Sequence, residues 1–179
     1  MRDAASLPPP PRWYSLLSDF ATGGTAAATS TSTVATCSQA YLPLPDPVCR
    51  PGALNPAVRQ AMIHSTICVG GYSSSIRPST SYTNALKVKQ IAEYGYADTS
   101  TADYEEDHLI PLSLGGNPTS PQNLWPEPRY QAGGSTAVDK DTVEYKLYQA
   151  VCAGIVQLAP AQRAIATDWT TALAAVGIS

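Results

Sequence analysis

The residues best equipped for chemistry lie in one stretch. His108, one of two histidines in the chain, directly follows the acidic run Glu105-Glu106-Asp107. It leads into Leu109-Ile110-Pro111-Leu112, then the pair Gly115-Gly116, then Asn123-Leu124-Trp125-Pro126. A carboxylate beside a histidine sets a hard-metal ligand next to a base that works near neutral pH. That combination suits reactions that need an activated water and a cation to neutralise developing negative charge. The second histidine, His64, falls at the end of an expected helix. There a histidine commonly answers the helix dipole, so it is left out of the candidate site.

Asp107-His108-Leu109-Ile110-Pro111, Gly115-Gly116 and Asn123-Leu124, taken together, resemble the signature of the HNH (ββα-metal) nucleases. More loosely, the span from Cys49 to Trp169 is similar to small, secreted bacterial HNH-like proteins. The resemblance implies an α+β fold, a small ββα-metal hairpin-helix unit over about residues 104–153 with flanking helices. It assigns Asp107 to a metal ion and His108 to general base catalysis. Neighbours on a strand point to opposite faces, and the family resolves this with a distorted strand end. Asn123 would tie the two ends of the hairpin loop together and orient the histidine. The family then places a His or Asn ligand in the first turns of the next helix. This chain offers Asp139, Lys140, Asp141 and Glu144 there instead. Asp141 and Glu144 share one helix face and are the candidate metal ligands, with Glu105 or Glu106 in reserve. An oxygen site implies Mg²⁺ or Mn²⁺ ahead of Zn²⁺ or Ca²⁺.

The implied partner is nucleic acid, DNA first, but nothing global draws this chain to it. Charged residues make up 14% of the 179 residues and the net charge is −3. Phosphate binding must come from a local group of cations. Arg77, Lys87, Arg129 and Lys140 are the substrate-binding candidates, with Lys89 and Lys146 as further basic positions. A fold does not guarantee chemistry. The competing reading is a non-catalytic secreted binding or structural domain on a degenerate HNH scaffold; a metallohydrolase acting on another phosphodiester is a third. No obligate protein partner is evident.

Four cysteines, Cys37, Cys49, Cys68 and Cys152, lack the C-x-x-C spacing of a zinc knuckle. In a small chain poor in charge they point to one or two disulfides and an oxidising compartment, with the pairing left open. The expected location is secreted or cell-envelope. The N-terminus has no clear signal peptide, however, because the apolar stretch at 13–20 is short and interrupted, and a cytoplasmic address stays open. No run is long and apolar enough to span a membrane.

The elements that must position these residues follow from local signals. Residues 1–45, with a proline run and a Thr/Ser/Ala/Gly tract, are expected to form a disordered tail, and the folded domain to cover 46–179. Asn55-Pro56 opens a short helix to about 62. Residues 65–69 and 72–77, around Gly70-Gly71, predict an N-terminal hairpin. Thr83 caps a helix to 94, stopped by Gly95, and residues 97–105 form a loop. Residues 107–114 read as a strand into a turn, and 123–125 as its partner. Apolar spacing predicts a helix over 137–153 and a last one over 160–176.

Overall fold

The hairpin that carries the acidic run has every strand residue paired. In the computed structural model, which describes residues 36–179, β1 (Tyr104–His108) runs antiparallel to β2 (Leu124–Pro128), in register from Tyr104 opposite Pro128 to His108 opposite Leu124. Two prolines fit in β2 because a two-stranded ribbon has only edge strands. The Tyr104 carbonyl, opposite Pro128, accepts a hydrogen bond from Lys87 Nζ at 3.0 Å.

Among the described residues five helices accompany this ribbon: α1 (Tyr72–Ile76), α2 (Thr80–Tyr94), α3 (Ala137–Cys152), α4 (Leu158–Asp168) and α5 (Ala172–Ala175). With the two-stranded sheet they make a mixed α+β fold, 44% helical and 10% strand. Helix α2 packs on the ribbon, burying Ile91 and Tyr94 in an aromatic cluster with Tyr96, Tyr104 and Trp125. Helices α3 and α4 build the larger core, where Leu147, Val151, Ile165 and Trp169 meet Ile110 and Leu114 from the loop after β1. The 3₁₀ turn at Leu112–Leu114 is the contact between that loop and α3.

Two disulfides staple these layers, Cys37–Cys49 and Cys68–Cys152, and the described residues hold no free cysteine. The second joins the segment before α1 to the end of α3, across 84 residues. No helix among the described residues is long and apolar enough to cross a membrane.

The expected hairpin over 65–69 and 72–77 is not formed. A 3₁₀ turn, Gln60–Ser65, comes first. Local bonds such as Cys68 N–H to Ile63 O and Val69 N–H to Thr66 O then keep 65–69 coiled. The partner segment is helix α1, entered through Gly71 at φ 83°. Strand preference reflects fit to a pleated surface. Here Ile67 is buried in the core and Cys68 is bonded to α3, so no such surface is offered. The short helix expected from Asn55 is reduced to turns and that same 3₁₀ segment. Helix α2 starts four residues earlier than expected, because Ser79 rather than Thr83 is the cap and accepts from Tyr82 N–H at 3.3 Å. The last helix breaks in two where Asp168 Oδ1 accepts from Thr170 N–H at 2.9 Å, a side chain competing with the backbone ladder.

Residues 36–45, expected in the tail, are folded onto the domain. Cys37 is buried, and Trp169 Nε1 donates to Pro43 O at 3.1 Å. The rest of the expected tail, 1–35, lies outside the described residues.

Candidate functional site

The loop between the strands is built around Asn123. This side chain has no exposure and uses all its bonding capacity. Its Nδ2 donates to Ile110 O at 3.0 Å and Asn117 O at 3.1 Å. Its Oδ1 accepts from Ile110 N–H at 3.0 Å and Ala53 N–H at 3.4 Å. The backbone of Gly116 passes so close that an added Cβ would lie 1.7 Å from Ile110 O and 2.8 Å from Asn123 Nδ2. The Gly-Gly pair and the asparagine thus form one closure, spaced as they are because they touch.

That closure brings Pro118 back over the end of β1. Its carbonyl lies 3.0 Å from His108 Nε2. A carbonyl can only accept, so Nε2 carries the proton and Nδ1 keeps its lone pair. Nδ1 has no hydrogen-bond partner among the described residues. Burial lowers the pKa of His108, outweighing the Pro118 contact and the neighbouring Asp107 that favour the charged form; Arg77 and Lys140 add to the lowering. The ring is therefore a neutral base at pH 7. The residue is 3% exposed.

Asp107 faces α3. Its Oδ2 accepts from Lys140 Nζ at 2.5 Å. The same ammonium donates to Glu144 Oε1, one turn further along α3, and to His108 O at 2.9 Å. Lys140, 1% exposed, therefore spends its three N–H donors on three oxygens. Burial would raise Asp107, but the charge and hydrogen bond of Lys140 hold it below the usual carboxylate range. Burial likewise would lower Lys140, and Asp107, Glu144 and Glu127 outweigh it and raise it. Glu144 is pushed up to about 7, chiefly by burial.

Glu127 belongs to the same cluster, though the sequence reading did not single it out. It is 2% exposed, and burial, with Asp107 and Glu144 adding to it, pushes its carboxyl well above the usual range. Its Oε1 has no partner. A charged residue set among Leu124, Trp125 and the prolines of β2 was the available signal.

The other candidates divide. Arg77 and Arg129 are exposed at the rim, and Arg129 pairs with Glu105 at 3.0 Å. The charge of Arg77 reaches Glu105, His108 and Asp141. Asp141 is exposed beside Asp107, raised by burial and by that neighbour, and makes no contact with the Lys140 ammonium. With Glu144 it lines a cavity of about 300 Å³ that also includes Ser73, Ser113 and Tyr148. Lys87 serves the outer edge of β1 and does not reach this rim. Lys140, expected to meet substrate, is interior. Glu106 points away from the cluster; both its oxygens are buried without partners among the described residues, and burial pushes it up to about 8.

The residues present do not fit the divalent ion that the HNH resemblance implies, because the ammonium takes one oxygen each of Asp107 and Glu144 and puts a positive charge where the ion would sit. Among the described residues no group of three or more His, Cys, Asp or Glu side chains is arranged to hold a metal ion. No family model matches the chain, and no curated protein or solved structure matches it.

Proposed function

We propose that this chain is an HNH-type hydrolase of nucleic-acid phosphodiester bonds, with His108 as general base. The observation that carries the reading is the bond from His108 Nε2–H to the Pro118 carbonyl, which leaves a neutral ring with its Nδ1 lone pair unspent. A base must be held as well as poised. Asn123 does the holding by locking the loop that supplies Pro118. Water deprotonated at Nδ1 would attack a phosphate bound at the rim, where Arg77 and Arg129 are exposed cations, while the opposite P–O ester bond breaks and its oxygen leaves as an alcohol protonated from solvent. Sequence-independent phosphate contacts of this kind suit an enzyme of low specificity. The two disulfides support an oxidising compartment and hence a secreted or cell-envelope protein.

The test is plasmid DNA and single-stranded RNA incubated with the purified chain, with and without EDTA, beside His108→Ala. Cleavage by the wild type, slowed about 10²–10⁴-fold in the variant, is the expected outcome. One observation favours the second reading, a non-catalytic scaffold: His108 has only 3% of its surface open. Wild type and His108→Ala equally inert on every substrate would decide for it.

A further inference from the structure

The geometry points to Lys140 as the resident cation of the hairpin-helix site, held by Asp107 and Glu144 in place of a divalent metal ion. The inference rests on the proposed reading of the site only for what the site does; what the site binds is measured separately. Three observations meet at the ammonium. Its donors reach Asp107 Oδ2 at 2.5 Å, His108 O at 2.9 Å and Glu144 Oε1, so its coordination is complete. It comes from inside α3, one turn before Glu144, so it is delivered by the same helix that supplies its ligand. It is 1% exposed, with no partner outside this cage among the described residues.

A divalent ion entering the cage would meet a fixed positive charge at contact distance. It could bind only by displacing an ammonium that is 1% exposed and spends all three donors in the cage. An ion pair of this kind is stable in place because breaking it would leave the buried Lys140 ammonium uncompensated. The bond to His108 O adds a positioning role: the cation that neutralises Asp107 also fixes the backbone of the proposed base. Any hydrolysis at this site therefore proceeds without a divalent ion and is insensitive to chelation.

The experiment is a Mn²⁺ titration of the full chain, stripped with EDTA and dialysed, read by electron paramagnetic resonance of free Mn²⁺ and by thermal melting. The wild type should show no saturable site up to about 1 mM Mn²⁺, weaker than dedicated protein sites for hard cations, and no shift in melting temperature. Lys140→Met leaves the carboxylates without their cation. It should gain one Mn²⁺ site and a Mn²⁺-dependent rise in melting temperature, both lost in the Lys140→Met/Asp107→Asn double variant. A saturable site on the wild type that Asp107→Asn abolishes would overturn the proposal, and this arm stands even if Lys140→Met does not fold. A folded Lys140→Met that gains no site would overturn it equally. Cleavage assays on the same samples separate the two readings. An inert wild type that binds no metal removes the hydrolase and leaves the cation assignment. Metal-dependent cleavage with a bound ion does the reverse.

Discussion

Replacing Asn123 by Ala should cost the protein about 3–5 kcal/mol of stability, by the following count. The amide makes two donated and two accepted hydrogen bonds, at 3.0, 3.1, 3.0 and 3.4 Å, and is fully buried. Alanine leaves the amide N–H and carbonyl of Ile110 without these partners, as well as the Asn117 carbonyl and the Ala53 N–H. Each buried group left unsatisfied costs about 1–3 kcal/mol. The 3.4 Å bond counts little, and Asn117, half-exposed, can recover a water. The Ile110 pair therefore dominates the sum, with the small void left beside Gly116 adding to it. A domain of this size holds about 5–15 kcal/mol in all, so the variant should fold but unfold at much lower urea. The assay is urea unfolding of the oxidised protein by far-UV circular dichroism, with equal m-values as the check on two-state behaviour. Asn123→Asp is the sharper companion. It keeps the acceptor and turns the donor toward two carbonyls into a carboxylate oxygen, so it should fare at least as badly as alanine. A loss below about 1 kcal/mol in Asn123→Ala would refute the claim that this one side chain closes the loop.

Other outcomes follow from the same structure. Gly116→Ala should be among the most damaging single substitutions, because the new methyl group would overlap the Ile110 carbonyl at 1.7 Å; failure to fold or a large drop in urea midpoint checks it. Replacing Cys68 and Cys152 together by Ser should cost about 4–5 kcal/mol from the chain entropy of an 84-residue loop, read by the same unfolding curves. Glu106 titrates at about 8 in the folded state against 4.5 when unfolded, chiefly through burial. The folded state therefore holds the extra proton between these values. Its contribution is full below pH 4.5 and lost as pH rises to 8, so Glu106→Gln should melt higher than wild type at pH 8 and close to it at pH 4.5. Equal gaps at both pH values would count against a neutral Glu106.

Short-range signals carried much of the fold. Helix α3 over Ala137–Cys152 and the stop of α2 at Gly95 in the left-handed region were legible because caps, periodicity and glycine act within a few residues. The HNH resemblance implied that Asn123 ties the ends of the hairpin loop, and its bonds to Ile110 O and Asn117 O do reach across that loop. Short-range signals failed where the environment chose. Residues 65–69 carry strand-forming side chains, yet a disulfide to α3 and burial in the helical core gave them turns. The break at Asp168 came from one carboxylate competing for a backbone N–H.

The candidate site divides along the same line. That Asp107, His108 and Asn123 lie together on one hairpin was legible, because residue type and local spacing are properties of the chain itself. Their charges and partners were not. Lys140 read as a solvated cation for phosphate and became the buried centre of the carboxylate cluster, because its main partner lies 33 residues away on another element. Glu127 passed unnoticed for the same reason: its apolar neighbours in β2 hinted at burial, but only the fold sets it beside Asp107. Of three possible cysteine pairings, only packing selected Cys37–Cys49 and Cys68–Cys152. Desolvation and ion pairing depend on what the fold brings within a few ångströms, and that distance is set by the core rather than by neighbours along the chain.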